Sequence, residues 1–68
     1  MIRKSVNSTN IRSIGYYGTT LEVEFHNGGI YQYFGVPEHH YGYMISHAHP
    51  GTYLAAHVKN VYRYSKVG

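Results

Sequence analysis

Residues 21–34 read LEVEFHNGGIYQYF, and this stretch organises the rest of the chain. In its first half Leu21, Val23 and Phe25 alternate with polar residues, which is typical of a β-strand with one buried face. The dipeptide Asn27-Gly28 follows, and it is among the strongest short-range signals for a hairpin turn. The second half has apolar or aromatic residues on both faces of a strand. The stretch therefore predicts an antiparallel hairpin against which the other segments pack.

The turn allows two registers for this hairpin. A two-residue loop at Asn27-Gly28 pairs Val23 with Gln32. A three-residue loop, in which Gly28 is left-handed and forms a β-bulge, pairs Val23 with Tyr31. A slip of one residue moves every side chain of a strand to the other face of the sheet. We favour the three-residue loop because it separates polar from apolar side chains better.

The register decides which side chains of the second strand of the hairpin are exposed to a binding partner. In the favoured register Tyr31 and Tyr33 face the core, and no exposed tyrosine platform remains. Ile30 and Phe34 then lie on the opposite face, beside the glutamates of the first strand. In the other register the two tyrosines are exposed and become the candidate binding surface.

The remaining segments complete one α+β domain over residues 1–68. We expect a three-stranded antiparallel meander with two short helices on one face. The other strands are predicted at residues 10–17 and 29–35, and the helices from Val36-Pro37-Glu38 onward and over Thr52–Asn60. Residues 1–8 are expected to form a partly ordered N-terminal arm, and residues 61–68 an extended C-terminal segment or short strand.

Periodicity predicts which helical residues face the sheet. In the first helix the predicted core stripe consists of Tyr41, Met44, Ile45 and Ala48. In the second helix it consists of Leu54, Val58 and Val61.

The composition excludes several classes of protein. The chain has no cysteine, which excludes disulfides and thiolate metal sites. No apolar run reaches the length of a membrane span and no signal peptide is evident, so we expect a cytoplasmic protein without a membrane partner. There is no aspartate, no nucleophile in a triad pattern and no phosphate-binding glycine motif, so we expect no enzyme and no cofactor. A metal site built on His47 and His49 with His39 or Glu38 is the weaker reading of the six histidines.

Several short motifs together resemble the KTSC domain family. They span Val6 to Val67 and comprise STNI (residues 8–11), IGY (14–16), LEVEF (21–25), NGGIYQY (27–33), VP (36–37), Tyr41, GTY (51–53) and YRY (62–64). The Tyr-x-Tyr motif of the family is present as Tyr31-Gln32-Tyr33. Two positions depart from the family pattern, namely Tyr17, where an acidic residue is usual, and Leu54-Ala55, where Phe-Asn is usual.

The resemblance implies a small module that often stands alone in bacteria and phages. Related domains also occur at the C-terminal end of some lysyl-tRNA synthetases. The family has no established activity, and RNA binding has been suggested for it.

Two binding functions follow as hypotheses. The first is a protein-binding role, in which Ile30 and Phe34 form a homodimer or host-protein interface. The family's distribution makes inhibition of a host defence protein by a phage or prophage factor a natural example. The alternative is binding of RNA or another single-stranded nucleic acid through tyrosines and a basic C-terminal segment, at a net charge of +3. The candidate contacts are Arg3, Lys4, Arg12, Lys59, Tyr62, Arg63, Tyr64 and Lys66.

Overall fold

The computed structural model describes residues 1–46 and 49–68. Five strands and two helices follow one another as β1 (Arg3–Ser5), β2 (Ile11–Tyr17), β3 (Thr20–Phe25), β4 (Ile30–Tyr33), α1 (Glu38–Ser46), α2 (Pro50–His57) and β5 (Tyr64–Lys66). The strands form one antiparallel sheet in the order β1-β2-β3-β4-β5. No helix in the described ranges has the length and apolar character needed to cross a membrane.

The α+β class with two helices is confirmed, but the expectation of three strands is wrong. The N-terminal arm contributes β1, which has no apolar alternation that a sequence pattern could reveal. Its neighbour Gly15 makes the close approach possible, because a Cβ there would lie 2.7 Å from the carbonyl oxygen of Ile2. The short C-terminal strand does form, as β5 against β4.

The hairpin of β3 and β4 has the favoured three-residue loop. Val23 pairs with Tyr31 and Leu21 with Tyr33. Phe25 and Gly29 close the loop, since the Phe25 N–H donates to the Gly29 carbonyl at 2.8 Å. Gly28 has a φ of 97°, which is the left-handed conformation that a bulge at this position requires.

Both helices pack on the sheet face that carries Leu21 and Val23. The buried core consists of Ile11, Ile14, Leu21, Val23, Tyr33, Val36, Met44, Leu54 and Val58. In α1, Met44 is fully buried, whereas Tyr41 and Ile45 pack at the margin of this core. Ala48 and His47, which the sequence placed in the core stripe and in a metal site, lie outside the described residues.

The second helix differs from its predicted range. It begins at Pro50 rather than Thr52, because proline is preorganised for the first helical position. It ends at His57, and Asn60 soon after has a φ of 66°. Helical periodicity therefore does not extend to Val61, which is 63% exposed rather than facing the core.

Substituting Gly28 tests the importance of the bulge. Gly28→Ala should lower the free energy of unfolding by about 1–2 kcal/mol, because a Cβ strains the left-handed backbone. The matched control is Gly42→Ala in α1, where a Cβ meets no atom within 4 Å. That change should raise stability by roughly 0.5–1 kcal/mol. Urea unfolding followed by circular dichroism measures both values, and an unchanged Gly28→Ala midpoint would contradict this role for the turn.

Candidate nucleic-acid interface

The most distinctive surface feature is an aromatic groove at the β4–β5 end of the helix-bearing face. Its volume is about 330 Å³, and its lining residues are Phe25, Asn27, Tyr31, Tyr33, Lys59, Asn60 and Tyr64. The α1 helix packs on the same face over β2, toward the β1 edge of the sheet. The aromatic groove therefore forms where the sheet extends beyond its helical cover.

The rings in the aromatic groove contact one another in a connected series. Phe25 meets Tyr31 edge-on, with ring centroids 5.6 Å apart. Tyr64 lies 5.9 Å from both Tyr31 and Tyr33. Tyr33 is buried at 3% exposure, Tyr31 is half-buried and Tyr64 is 62% exposed. The exposure of the rings thus increases from Tyr33 through Tyr31 to Tyr64.

This arrangement corrects one expectation from the sequence. The favoured register was expected to remove the tyrosines from any binding surface. The register is the favoured one, but Tyr31 still lines an open groove because neither helix covers the β4–β5 end of this face. Packing also raises the pKa of the Tyr33 hydroxyl, chiefly through burial and then through its neighbours Tyr31 and Tyr64. A tyrosine hydroxyl is already protonated at neutral pH, and the raised pKa extends the pH range over which Tyr33 can donate a hydrogen bond.

Lys59 lines the aromatic groove, and Lys66 lies beside it. The Nζ atom of Lys59 is 5.6 Å from the centroid of the Phe25 ring, a cation–π distance. Lys66 pairs with Tyr31 across the β4–β5 ladder, and its Nζ donates to the Gly68 carbonyl at 2.8 Å. No carboxylate is among the described residues that line the aromatic groove.

Two of the three glutamates are engaged on the helix-free face, the face of the sheet opposite the helices. Arg3 forms an ion pair with Glu22, and its Nη2 lies 3.7 Å from Glu24 Oε1. Ser13 donates to Glu24, and Gln32 donates to Glu22, each at 2.8 Å. Burial of Glu22 acts to raise its pKa, but the hydrogen bonds from Gln32 and Arg3 and the charge of Arg3 outweigh it, and the pKa is lowered. Both carboxylates contact Arg3 on the helix-free face, away from the aromatic groove.

The structure brings together only some of the predicted nucleic-acid contacts. Lys59, Tyr64 and Lys66 lie at or beside the aromatic groove. Arg3 is in the ion-pair network, and the Tyr62 hydroxyl contacts His40 inside the domain.

The three other predicted basic contacts lie elsewhere on the surface. Lys4 is exposed on edge strand β1, and Arg12 is exposed at a bulge in β2. Arg63 is exposed, and its carbonyl accepts from the N–H of Phe34.

Three lining residues were not predicted as contacts. The sequence pattern identifies Phe25 only as part of an alternating strand, and Asn27 only as a turn residue. Asn60 lies just beyond α2, and its left-handed backbone gives no signal in a single sequence. These three residues come together because the β3–β4 turn and the C-terminal end of α2 meet at one corner of the sheet.

A second cluster is centred on His40, the buried histidine of α1. Its Nδ1 lies 2.7 Å from the Tyr53 hydroxyl and its Nε2 lies 3.2 Å from the Tyr62 hydroxyl. Burial, then the neighbouring His39 and His57, lower the pKa of His40. No set of three or more His or Glu side chains within residues 1–46 and 49–68 is arranged to hold a metal ion. The two contacts of His40 join α1, α2 and the segment after α2.

The sequence matches the model of the KTSC domain over residues 7–62. The chain belongs to the KTSC domain family. The structure is also similar to the crystal structure of a KTSC domain protein from Yersinia pestis, with 35% sequence identity and a TM-score of 0.92 over 98% of this chain and 97% of that one. No protein with a curated description matches the sequence.

In this KTSC domain the Tyr-x-Tyr motif has one residue on the helix-free face and two in the aromatic groove. Gln32 binds Glu22, whereas Tyr31 and Tyr33 line the aromatic groove. Of the positions that depart from the family pattern, Tyr17 is 79% exposed and Leu54 is buried in the core. The departure at Leu54 thus changes the core, and the departure at Tyr17 changes the surface.

The lowered pKa of His40 predicts that the domain loses stability in mild acid. In the unfolded chain a histidine has a pKa of about 6.5, so the unfolded state binds more protons than the folded one just below that pH. The stabilising difference is present above pH of about 6.5 and is lost as the pH falls toward the folded-state pKa.

Melting temperatures measured between pH 7.5 and 5.5 check this. His40→Gln should reduce the dependence on pH, whereas His26→Gln, at an exposed turn residue, should preserve it. An equal dependence in wild type and His40→Gln would show that another group is responsible.

Proposed function

We propose that this KTSC domain is a non-catalytic module that binds single-stranded nucleic acid in its aromatic groove. The observation that carries the proposal is the graded set of Tyr33, Tyr31 and Tyr64 rings next to Lys59, with the carboxylates of Glu22 and Glu24 on the other face. Bases stack on aromatic rings irrespective of sequence, and lysines meet phosphates. RNA and DNA share this chemistry, and the experiment includes both.

The exposure of each ring suggests its role. Tyr64 is 62% exposed, and a base can stack on its ring. Tyr33 is 3% exposed and forms the bottom of the aromatic groove. Tyr31 lies between them with one edge against Phe25. A base stacked on Tyr64 and Tyr31 would have Lys59 and Lys66 within the same corner of the molecule to neutralise its phosphates.

Binding to labelled octauridylate and octathymidylate, measured by fluorescence anisotropy at low salt, tests the proposal. Tyr64→Ala should weaken binding by roughly 5- to 150-fold, corresponding to about 1–3 kcal/mol for one stacked base. Tyr17→Ala is the matched control, because Tyr17 is also exposed, at 79%, but lies outside the aromatic groove. Absence of binding to both oligonucleotides, or equal losses in the two variants, would sink the proposal.

The salt dependence supplies a separate readout for Lys59. Loss of one phosphate contact should reduce the slope of log K against log salt by about 0.7. Lys4→Ala, at the opposite edge of the sheet, should leave that slope unchanged.

A protein-binding role through Ile30 and Phe34 is the second candidate, and one observation favours it. Residues 1–46 and 49–68 form no second layer on the helix-free face, and Phe34 is 40% exposed next to it. Gly68 packs on Ile30, so Phe34 is the more accessible of the pair. A second copy of the chain could cover this surface as a homodimer. Action on a host defence protein remains a prediction from the phage and bacterial distribution of such domains.

Light scattering tests the homodimer. The wild type should have twice the chain mass of 7.8 kDa, and Phe34→Glu should return it to a monomer by placing a charge in the interface. Val61→Glu, at a residue 63% exposed elsewhere, should leave the dimer intact. A monomeric wild type contradicts this candidate and leaves the aromatic groove unaffected.

A further inference from the structure

The aromatic groove continues into a polar furrow on the same side of the molecule. A depression of about 390 Å³ shares Phe25, Asn27 and Lys59 with the aromatic groove. A third depression, of about 290 Å³, shares its Thr9, Asn10 and Gly51 with the second. We call these two depressions the polar furrow; beyond the shared residues they are lined by Asn7, Ser8, His26, His49, Thr52 and Leu54. The three depressions form one continuous track.

The chemistry changes along this track. The aromatic groove presents ring faces, whereas the polar furrow presents amide, hydroxyl and imidazole groups. Thr9 and Asn10 are exposed in it, and Lys59 lies where the two parts meet. No carboxylate is among the described residues along its length.

Neutral donors and a lysine suit the sugar-phosphate backbone of a nucleic acid. Side chains of Ser, Thr, Asn and Lys are among the groups that contact phosphate and sugar in protein–nucleic acid complexes. The abrupt change from rings to neutral polar groups matches the change from base to backbone in a strand laid along the track. An apolar peptide segment would instead leave the polar groups of the furrow without partners.

We infer that the polar furrow binds the sugar-phosphate backbone next to the nucleotide whose base occupies the aromatic groove. The ligand is then a short single strand rather than a mononucleotide. This inference rests on the proposed function and adds a second contact region to it. Lys59 belongs to both regions and neutralises the phosphate that joins them.

Gly51 allows the polar furrow to be filled without touching the aromatic groove. A Cβ there would lie 3.6 Å from Asn10 Nδ2 and 3.7 Å from Ser8 Oγ, which are ordinary contacts. The rest of a leucine side chain would then occupy the furrow. Gly42→Leu is the matched control, since Gly42 is also helical and a Cβ there meets nothing within 4 Å.

The experiment compares uridine monophosphate with di- and tetrauridylate, and the corresponding thymidylates, by NMR titration of the whole chain. After correction for the number of nucleotides that can enter the aromatic groove, the tetranucleotide should bind at least about fivefold tighter than the mononucleotide. Gly51→Leu should remove this gain and leave the mononucleotide affinity unchanged. Gly42→Leu should leave both affinities unchanged.

Each other outcome has a distinct meaning. If affinity does not rise with length, or if Gly51→Leu retains the gain, the polar furrow is not a backbone site, and the aromatic groove still stands. If neither mononucleotide nor oligonucleotide binds, the proposed function fails and the inference falls with it. Asn10→Ala, at an exposed amide, provides a second variant if Gly51→Leu does not fold, and it should reduce the same gain.

Discussion

The left-handed backbone at Gly28 is the constraint on which the rest of this structure depends. It makes the loop between β3 and β4 three residues long, and this length sets the pairing of Val23 with Tyr31. Since side chains alternate along a strand, that single choice assigns every residue of both strands to a face. Tyr31 and Tyr33 thereby join the helix-bearing face, and Gln32 joins Glu22 on the other.

This assignment also separates charge from aromatic surface. Arg3, which belongs to the edge strand β1, forms an ion pair with Glu22 and lies 3.7 Å from Glu24 on the helix-free face. Lysines 59 and 66 lie on the other side with the exposed rings. A chain with a formal net charge of only +3 can therefore present a locally basic, acid-free groove. The distribution of charge, more than its total, supports the proposed binding of a phosphate-bearing ligand.

Small size explains how the groove stays open. In this 68-residue chain the described residues form two helices of nine and eight residues, which are too short to cover a five-stranded sheet. The helices and the segment after α2 meet at His40, whose two ring nitrogens contact the hydroxyls of Tyr53 and Tyr62. Burial favours the neutral form of this histidine and lowers its pKa, because a buried charge is costly. The same shortage of cover leaves Tyr31 and Tyr64 at the surface.

Local sequence determined the hairpin, its bulge, the alternation of Leu21 and Val23, and the burial of Met44 and Leu54, because these depend on turn chemistry and periodicity within a few residues. The tertiary structure alone decided that residues 3–5 form an edge strand, since that strand is held by backbone pairing and by the space above Gly15. It also decided that core-facing tyrosines can line an accessible groove. Strand alternation defines the face on which a side chain lies, whereas its exposure depends on how far the helices extend across that face, and this is a property of the assembled layers.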